Sequence, residues 1–334
     1  MNLLLLGKTG GITRWTEDLA QDLRLSGHAV TVMPTRNPWL HKSLERFLLS
    51  PAIGSPLAEL LVRQMRRRRP DMVLAVGALD QFPLVLFQHL SAAKQRPPLI
   101  AWIGDIFAEH HAPLANLFDI VAYTDTGLLS LHNRFGFKSQ GAYVPLGATR
   151  GTGAVSRAVS RAPELAFVAA PAANRRELLA QIADPVAIFG PGWQDANELA
   201  HHKRHPVRID ERELAEIYAR HIGVLNIRNG GLVINGLNQR HFAPYIQSTP
   251  VITDAQPDIP HCFDPGDDIL VYQDAAELRA IQARLRHDPG LAALIGVAGQ
   301  RRVLAQHTYA HRLDTIAALA GIKPAGVKPS KPHQ

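Results

Sequence analysis

Cysteine is almost absent: the 334 residues include one, Cys262. A single thiol cannot form an intrachain disulfide or a multi-cysteine metal site. Cys262 therefore reads as a small apolar residue, compatible with a reducing compartment. Aromatic residues are scarce at 6%. None interleaves with the densest basic run, Arg66-Arg67-Arg68-Arg69, so the stacking platform used on single-stranded nucleic acid is missing. Long apolar runs are missing as well, and none approaches the ~18 residues that span a bilayer. Leu3-Leu4-Leu5-Leu6 is too short for a signal-peptide core, lacks a basic leader and runs straight into Gly7-Lys8-Thr9-Gly10. The expectation is a cytoplasmic protein with no nucleic-acid partner.

What is present is a globular balance, with 46% hydrophobic and 19% charged residues. The length suits two domains of ordinary size. The net charge is +7. The Arg66–Arg69 run, preceded by Arg63, has two readings. It is a solvated helix end whose cations offset the helix dipole, or a patch for peripheral contact with the inner face of an anionic membrane.

Short apolar runs alternate with helical spacing. Strands are expected at Leu3–Leu6, Ala29–Met33, Met72–Val76, Leu99–Ile103, Ile120–Thr124 and Ala142–Val144. Ile12, Trp15, Leu19 and Leu23 share one helical face. The pattern restarts with strands at Leu165–Ala169, Val186–Phe189, Gly223–Ile227, Pro250–Thr253 and Ile269–Tyr272. Helices are expected over Arg175–Ile182, Glu211–Ala219, Phe242–Gln247, Ala276–Leu285, Gly290–Ala298 and Arg301–Gln306. Strands separated by helices predict an α/β protein of two Rossmann-like, doubly wound parallel-sheet domains facing a cleft. The boundaries read as 1–148, a small, polar and basic linker over 149–163, a second domain over 164–322 and a disordered tail over 323–334.

Chemistry-bearing residues collect after strands. Gly190-Pro191-Gly192-Trp193 follows one directly; glycine allows close backbone approach, and Trp193 either stacks on a ligand or caps the core. Arg175 and Arg176 open a helix just after another strand, placed to fork onto phosphate oxygens or to form surface ion pairs. Asn226 and Arg228 end a third, and Asn235, Asn238, Arg240 and His241 precede a helix start. Side-chain amides and an arginine at such a place suit sugar hydroxyls and a diphosphate. In the first half, Gly10, Gly11 and Thr13 join strand to helix without the spacing of a P-loop or a dinucleotide fingerprint. Asp105 follows LIAWIG, with His110 close behind; either one is placed as a general base for a hydroxyl, or as a cap and a surface histidine. Adjacent His110-His111 and His201-His202 cannot both face one ion from a helix or strand, and Asp264-Pro265-Gly266-Asp267-Asp268 reads first as a turn, so no metal site is expected.

The order of ELAFVAAPAANRRELL, VAIFGPGW, ELAEIYARHIGVLNI, NQRHFAPYIQSTPVITD, FDPGDDILVYQDAAEL and RRVLAQHTYAHR resembles the CgeB-like (spore maturation protein-like) branch of the GT-B glycosyltransferases. PDMVLAVG, PLIAWIGDIF, FDIVAYTDTGLLSLHNRFGF and YVPLGA extend the resemblance over nearly the whole chain. It implies a nucleotide-sugar donor held mainly by the second domain. It also implies a glycan, lipid-linked or protein acceptor on the first, with no cofactor and no required metal. Arg240 falls at the arginine of the family's Arg-x-Phe-Glu pattern and Phe242 at its phenylalanine; the glutamate position is Ala243. Ala169-Ala170 stands where a glycine is common.

Overall fold

The structure is a computed structural model that describes residues 1–9, 14–36, 59, 62–63, 65–151, 160–231 and 233–322. Its chain divides into two units, Leu146–Thr308 and Met1–Pro145 together with the chain from Tyr309.

The first unit carries six parallel strands: β1 (Asn2–Lys8), β2 (Ala29–Arg36), β3 (Met72–Gly77), β4 (Leu99–Ile103), β5 (Ile120–Tyr123) and β6 (Gln140–Tyr143). Their order is β2-β1-β3-β4-β5-β6. The inner strands are buried on both faces, which is why they read as continuous apolar runs rather than alternating ones. Helices α1 (Trp15–Leu25), α2 (Leu84–Ala92) and α3 (Thr126–Arg134) cross between them. The Asp125 side chain accepts from Gly127 N–H at 2.7 Å and so caps α3.

The second unit repeats the design with β7 (Ala162–Val168), β8 (Val186–Phe189), β9 (Lys203–His205), β10 (His221–Asn226), β11 (Val251–Asp254) and β12 (Leu270–Tyr272). The order β12-β11-β10-β7-β8-β9 is doubly wound, and the winding reverses between β7 and β10. Strand β9, Lys-Arg-His, was not expected; a three-residue polar edge strand carries no apolar signal. Helices α4 (Ala173–Ala180), α5 (Glu211–Arg220), α6 (Ala275–His287) and α7 (Pro289–Gln306) complete the layers. Asp210 and Glu213 cap α5 reciprocally at 2.8 Å, and Asp274 and Asp288 cap α6 and α7.

Three expectations change. The two helices anticipated over Gly290–Gln306 are one continuous α7. Gly296 and Gly299 do not break it, because they are where the helix meets a neighbour. A Cβ there would lie 2.0 Å from Ser248 O and 2.1 Å from the Tyr245 ring. The segment expected as a helix at Phe242–Gln247 forms two 3-10 turns, Gln239–His241 and Ala243–Gln247, with Pro244 inside the second. Finally, α8 (Tyr309–Leu319) belongs with the first unit rather than the second. Ala310 N–H donates to Asp22 Oδ2 at 2.8 Å, and the Tyr309 ring meets Trp102 edge-on at 6.1 Å. Periodicity reveals that α8 has an apolar face, not which core receives it. Of the expected linker, 152–159 lies outside the described residues, and Ala162-Pro163 already belongs to β7.

Candidate functional site

In an open α/β sheet the ligand crevice lies beyond the carboxyl ends of the strands at the point where the winding reverses. In the second unit that point is the end of β7 beside the end of β10. Asn226, the last residue of β10, is wholly buried and organises the corner. Its Oδ1 accepts from Arg240 Nε at 3.0 Å and from Asn238 Nδ2 at 3.1 Å. Those two donors fix the amide orientation, so Nδ2 faces Thr253 Oγ1 at 3.1 Å and His241 Nε2 at 3.2 Å. Gln256 Nε2 approaches the same imidazole nitrogen at 3.4 Å. On the other side of the ring, His241 Nδ1 accepts from Asn238 N–H at 3.1 Å and lies 3.2 Å from Asn238 O. Burial and then the Arg240 charge push its pKa down to about 3, partly opposed by the Asn238 contact.

Arg240 is thus held by one nitrogen. Asn238 Oδ1 also accepts its backbone N–H at 2.9 Å. Among the described residues Nη1 and Nη2 have no hydrogen-bond partner and the guanidinium has no ion pair. Burial lowers its pKa, while Tyr218 and Asp254 raise it; an arginine stays charged nonetheless. Asp254, at the end of β11, is instead engaged by Arg228, through the backbone N–H at 3.1 Å and Nε at 3.3 Å. Burial raises the Asp254 pKa despite those bonds.

Arg175 lies behind this corner, 5% exposed. Nε and Nη2 donate to Ile227 O at 3.2 and 3.1 Å, and Nη1 to Ala170 O at 2.8 Å. It ties the end of β10 to the loop after β7 and forms no ion pair among the described residues, although the Asp254 charge favours its protonated form. Burial, then the nearby Arg240 charge, lowers its pKa to about 10. Helix α4 starts there at Ala172 without a side-chain cap, leaving first-turn N–H groups for an anion. The corner therefore concentrates positive potential with little to cancel it, and one guanidinium presents unused donors.

The sequence-predicted residues separate into distinct roles. Arg240, Arg228, Asn235 and Asn238 keep partly exposed side chains at the corner. Asn226, His241 and Arg175 are buried and act as framework. Three expected donor contacts are corrected. Trp193 is fully buried, with Nε1 donating to Ala169 O at 2.6 Å, so its ring caps the core and cannot stack on a base. Phe242 is fully buried against Phe263 and His307, so its ring belongs to the core. Arg176 forms a bidentate pair with Glu198 at 2.6 and 2.8 Å, so its fork is occupied. Gly190 has a positive φ of 129°, and a Cβ there would lie 2.7 Å from Ala169 O. Glycine is required where β8 turns past the end of β7. Ala243 packs its methyl group with Val168, Phe189, Leu214 and Ile217 around Ala166, Tyr218 and Val224.

Sequence reasoning missed Thr253, Asp254 and Gln256, which frame the corner from β11. The signal available was a Thr-Asp pair closing an apolar strand. The acidic loop has a structural role: Asp264 and Asp268 both pair with Arg302 of α7. Among the described residues no group of three or more His, Cys, Asp or Glu side chains is placed to hold a metal.

In the first unit, Asp105 follows β4 and is half-buried. Burial raises its pKa, the Asp80 charge raises it further, and Lys8 opposes. His110 is exposed and stacks on His111 with ring centroids 4.1 Å apart. Gly10, Gly11 and Thr13 lie outside the described residues.

Two Rossmann-like parallel six-stranded sheets define the GT-B fold, and the comparisons agree. Residues 167–318 match a family model described as "Glycosyl transferase-like". The structure is similar to Anabaena HepE in complex with UDP-glucose, at 14% identity and a TM-score of 0.67, covering 96% of this chain and 99% of that one. It is similar to sucrose-phosphate synthase from Thermosynechococcus elongatus, at 13% identity and 0.66, covering 96% and 98%. A glycosyltransferase from Rickettsia africae matches at 10% identity and 0.65, covering 96% and 97%. No curated protein sequence matches the chain.

Proposed function

We propose that the protein is a glycosyltransferase of the CgeB-like kind. It transfers a sugar from a nucleoside-diphosphate sugar to a glycan, lipid-linked or protein acceptor in bacterial surface glycosylation. The single observation that carries this reading is Arg240. It is anchored by Nε at the switch point of the second sheet and offers Nη1 and Nη2 with no counter-ion among the described residues. A guanidinium so held stabilises a departing diphosphate without reorganisation. The family-model match over 167–318 and the UDP-glucose complex of a similar structure support a nucleotide-sugar ligand, with UDP the first base to test. In the first unit, Asp105 is the proposed base for the acceptor hydroxyl, its raised pKa bringing it nearer neutrality. The exposed Arg66-Arg67-Arg68-Arg69 stretch is the proposed peripheral contact with the inner membrane face.

A second reading, a catalytically degenerate GT-B protein acting as a glycan-binding or scaffolding module, is favoured by Ala243, whose methyl sits in apolar surroundings where the family places a carboxylate. A panel of UDP-, GDP- and dTDP-sugars separates the two. A true donor raises the melting temperature by mass action and is hydrolysed or transferred. No shift with any member of the panel refutes the transferase and favours the scaffold.

A further inference from the structure

Helix α7 has an unusual outer face. Its inner side buries Ala292, Ile295, Gly296, Gly299 and Val303. A helix at the edge of a soluble domain turns polar residues to solvent. Here Leu294 is 71% exposed, Val297 47% and Leu304 42%. With exposed Arg301 they fall within roughly 80° of arc, at 3.6 residues per turn. Between Gly290 and Ala305, Arg301 is the only exposed polar side chain. The preceding helix α6 adds exposed Arg284. Neither Arg284 nor Arg301 has an ion pair among the described residues, whereas Arg286 and Arg302 are paired to aspartates.

The charge on this face selects its partner. A two-fold contact between copies sets a patch against itself and would gather two unpaired Arg301 charges in one apolar seam with no acidic residue from the patch to answer them. The chain beyond Ile322 carries Lys323, Lys328 and Lys331, so it shares the sign of the patch. An anionic bilayer supplies what both lack, an apolar interior beneath negative headgroups. We propose that the outer face of α7 is a membrane-contact surface. Leu294, Val297 and Leu304 enter the interface of an anionic bilayer while Arg301 meets the lipid phosphates. This surface is separate from the arginine run at 66–69 and needs no nucleotide.

The test is co-sedimentation of the full chain with vesicles of equimolar phosphatidylglycerol and phosphatidylcholine, against vesicles of pure phosphatidylcholine. The wild type partitions to the anionic vesicles. Leu294→Glu with Val297→Glu lowers partition by about tenfold or more, and Arg301→Gln by about fivefold. Leu294→Trp strengthens binding and gives a blue-shifted emission only with anionic vesicles. These positions are exposed, so an unchanged melting temperature verifies that the variants fold. Nucleotide-sugar binding is unchanged in all of them, which separates failure here from failure of the donor assignment. Equal partition of the double variant and the wild type overturns the proposal. So does binding lost only when Arg66 and Arg67 are replaced. A concentration-dependent dimer abolished by the double variant would assign the face to a second copy instead.

Discussion

Asn226→Asp isolates the electrostatic logic of the corner. The substitution is nearly isosteric, and the buried network can accept it by reversing polarity. Thr253 Oγ1–H and a His241 proton on Nε2 can both donate to the new oxygen, which takes the place of Nδ2. Arg240 Nε stays 3.0 Å from the other oxygen. What changes is charge: the free guanidinium gains a fixed buried counter-ion. A full charge about 6 Å from a bound phosphate, at an effective dielectric of about 20, is worth roughly 3 kcal/mol. That corresponds to on the order of 100-fold in affinity. The assay is calorimetric titration of UDP and, in parallel, of uridine, which has the same base and no phosphate. UDP binding should weaken by about two orders of magnitude while uridine binding stays within about threefold. If UDP affinity is unchanged, the Arg240 guanidinium is not an anion site. If both ligands weaken equally, the substitution has distorted the fold rather than the field.

Other outcomes follow from the same geometry. His241 has a folded pKa of about 3, against about 6.5 unfolded. Because the folded value is depressed, the stability it protects is complete above pH 6.5. Below that pH the unfolded chain takes up a proton that the folded chain refuses. Stability should fall by up to ~1.4 kcal/mol per pH unit toward pH 3, and His241→Gln should flatten this slope in urea titrations; an unaltered slope would show that the imidazole is not buried and neutral. Asp105→Asn should lower kcat by about 10²–10⁴-fold and remove an acid limb lying above the ordinary carboxylate range. Retention of that limb in the pH–rate profile would move the base elsewhere. Gly190→Ala combines a left-handed φ with a Cβ 2.7 Å from a carbonyl, and should cost about 3 kcal/mol or more in chemical denaturation. A loss below ~1 kcal/mol would mean that the loop relaxes freely.

Much of the fold was readable because buried parallel strands announce themselves. Leu99–Ile103 and Val186–Phe189 coincide with their apolar runs to the residue. Lys203–His205 was hidden because an edge strand need not be apolar. Helix α7 appeared divided because Gly299 reads locally as a breaker, whereas its lack of a side chain makes room for Tyr245. The site was legible by position but not by role. Asn226, His241 and Arg240 were all visible at strand and turn ends. Which of them faces solvent depends on the 3-10 turns at Gln239–Gln247, and these depend on α7 packing far along the chain. Trp193 and Phe242 illustrate the same limit, since an aromatic beside a glycine-rich turn reads alike whether it covers a ligand or the core.

The central claim is that Arg240 presents its terminal nitrogens to a donor diphosphate. The most direct measurement is a crystal structure of the protein with UDP or its sugar conjugate. The account predicts diphosphate oxygens within hydrogen-bond distance, about 3 Å, of Arg240 Nη1 or Nη2 at the ends of β7 and β10. A nucleotide bound elsewhere, or an Arg240 guanidinium turned away from the phosphates, would contradict it.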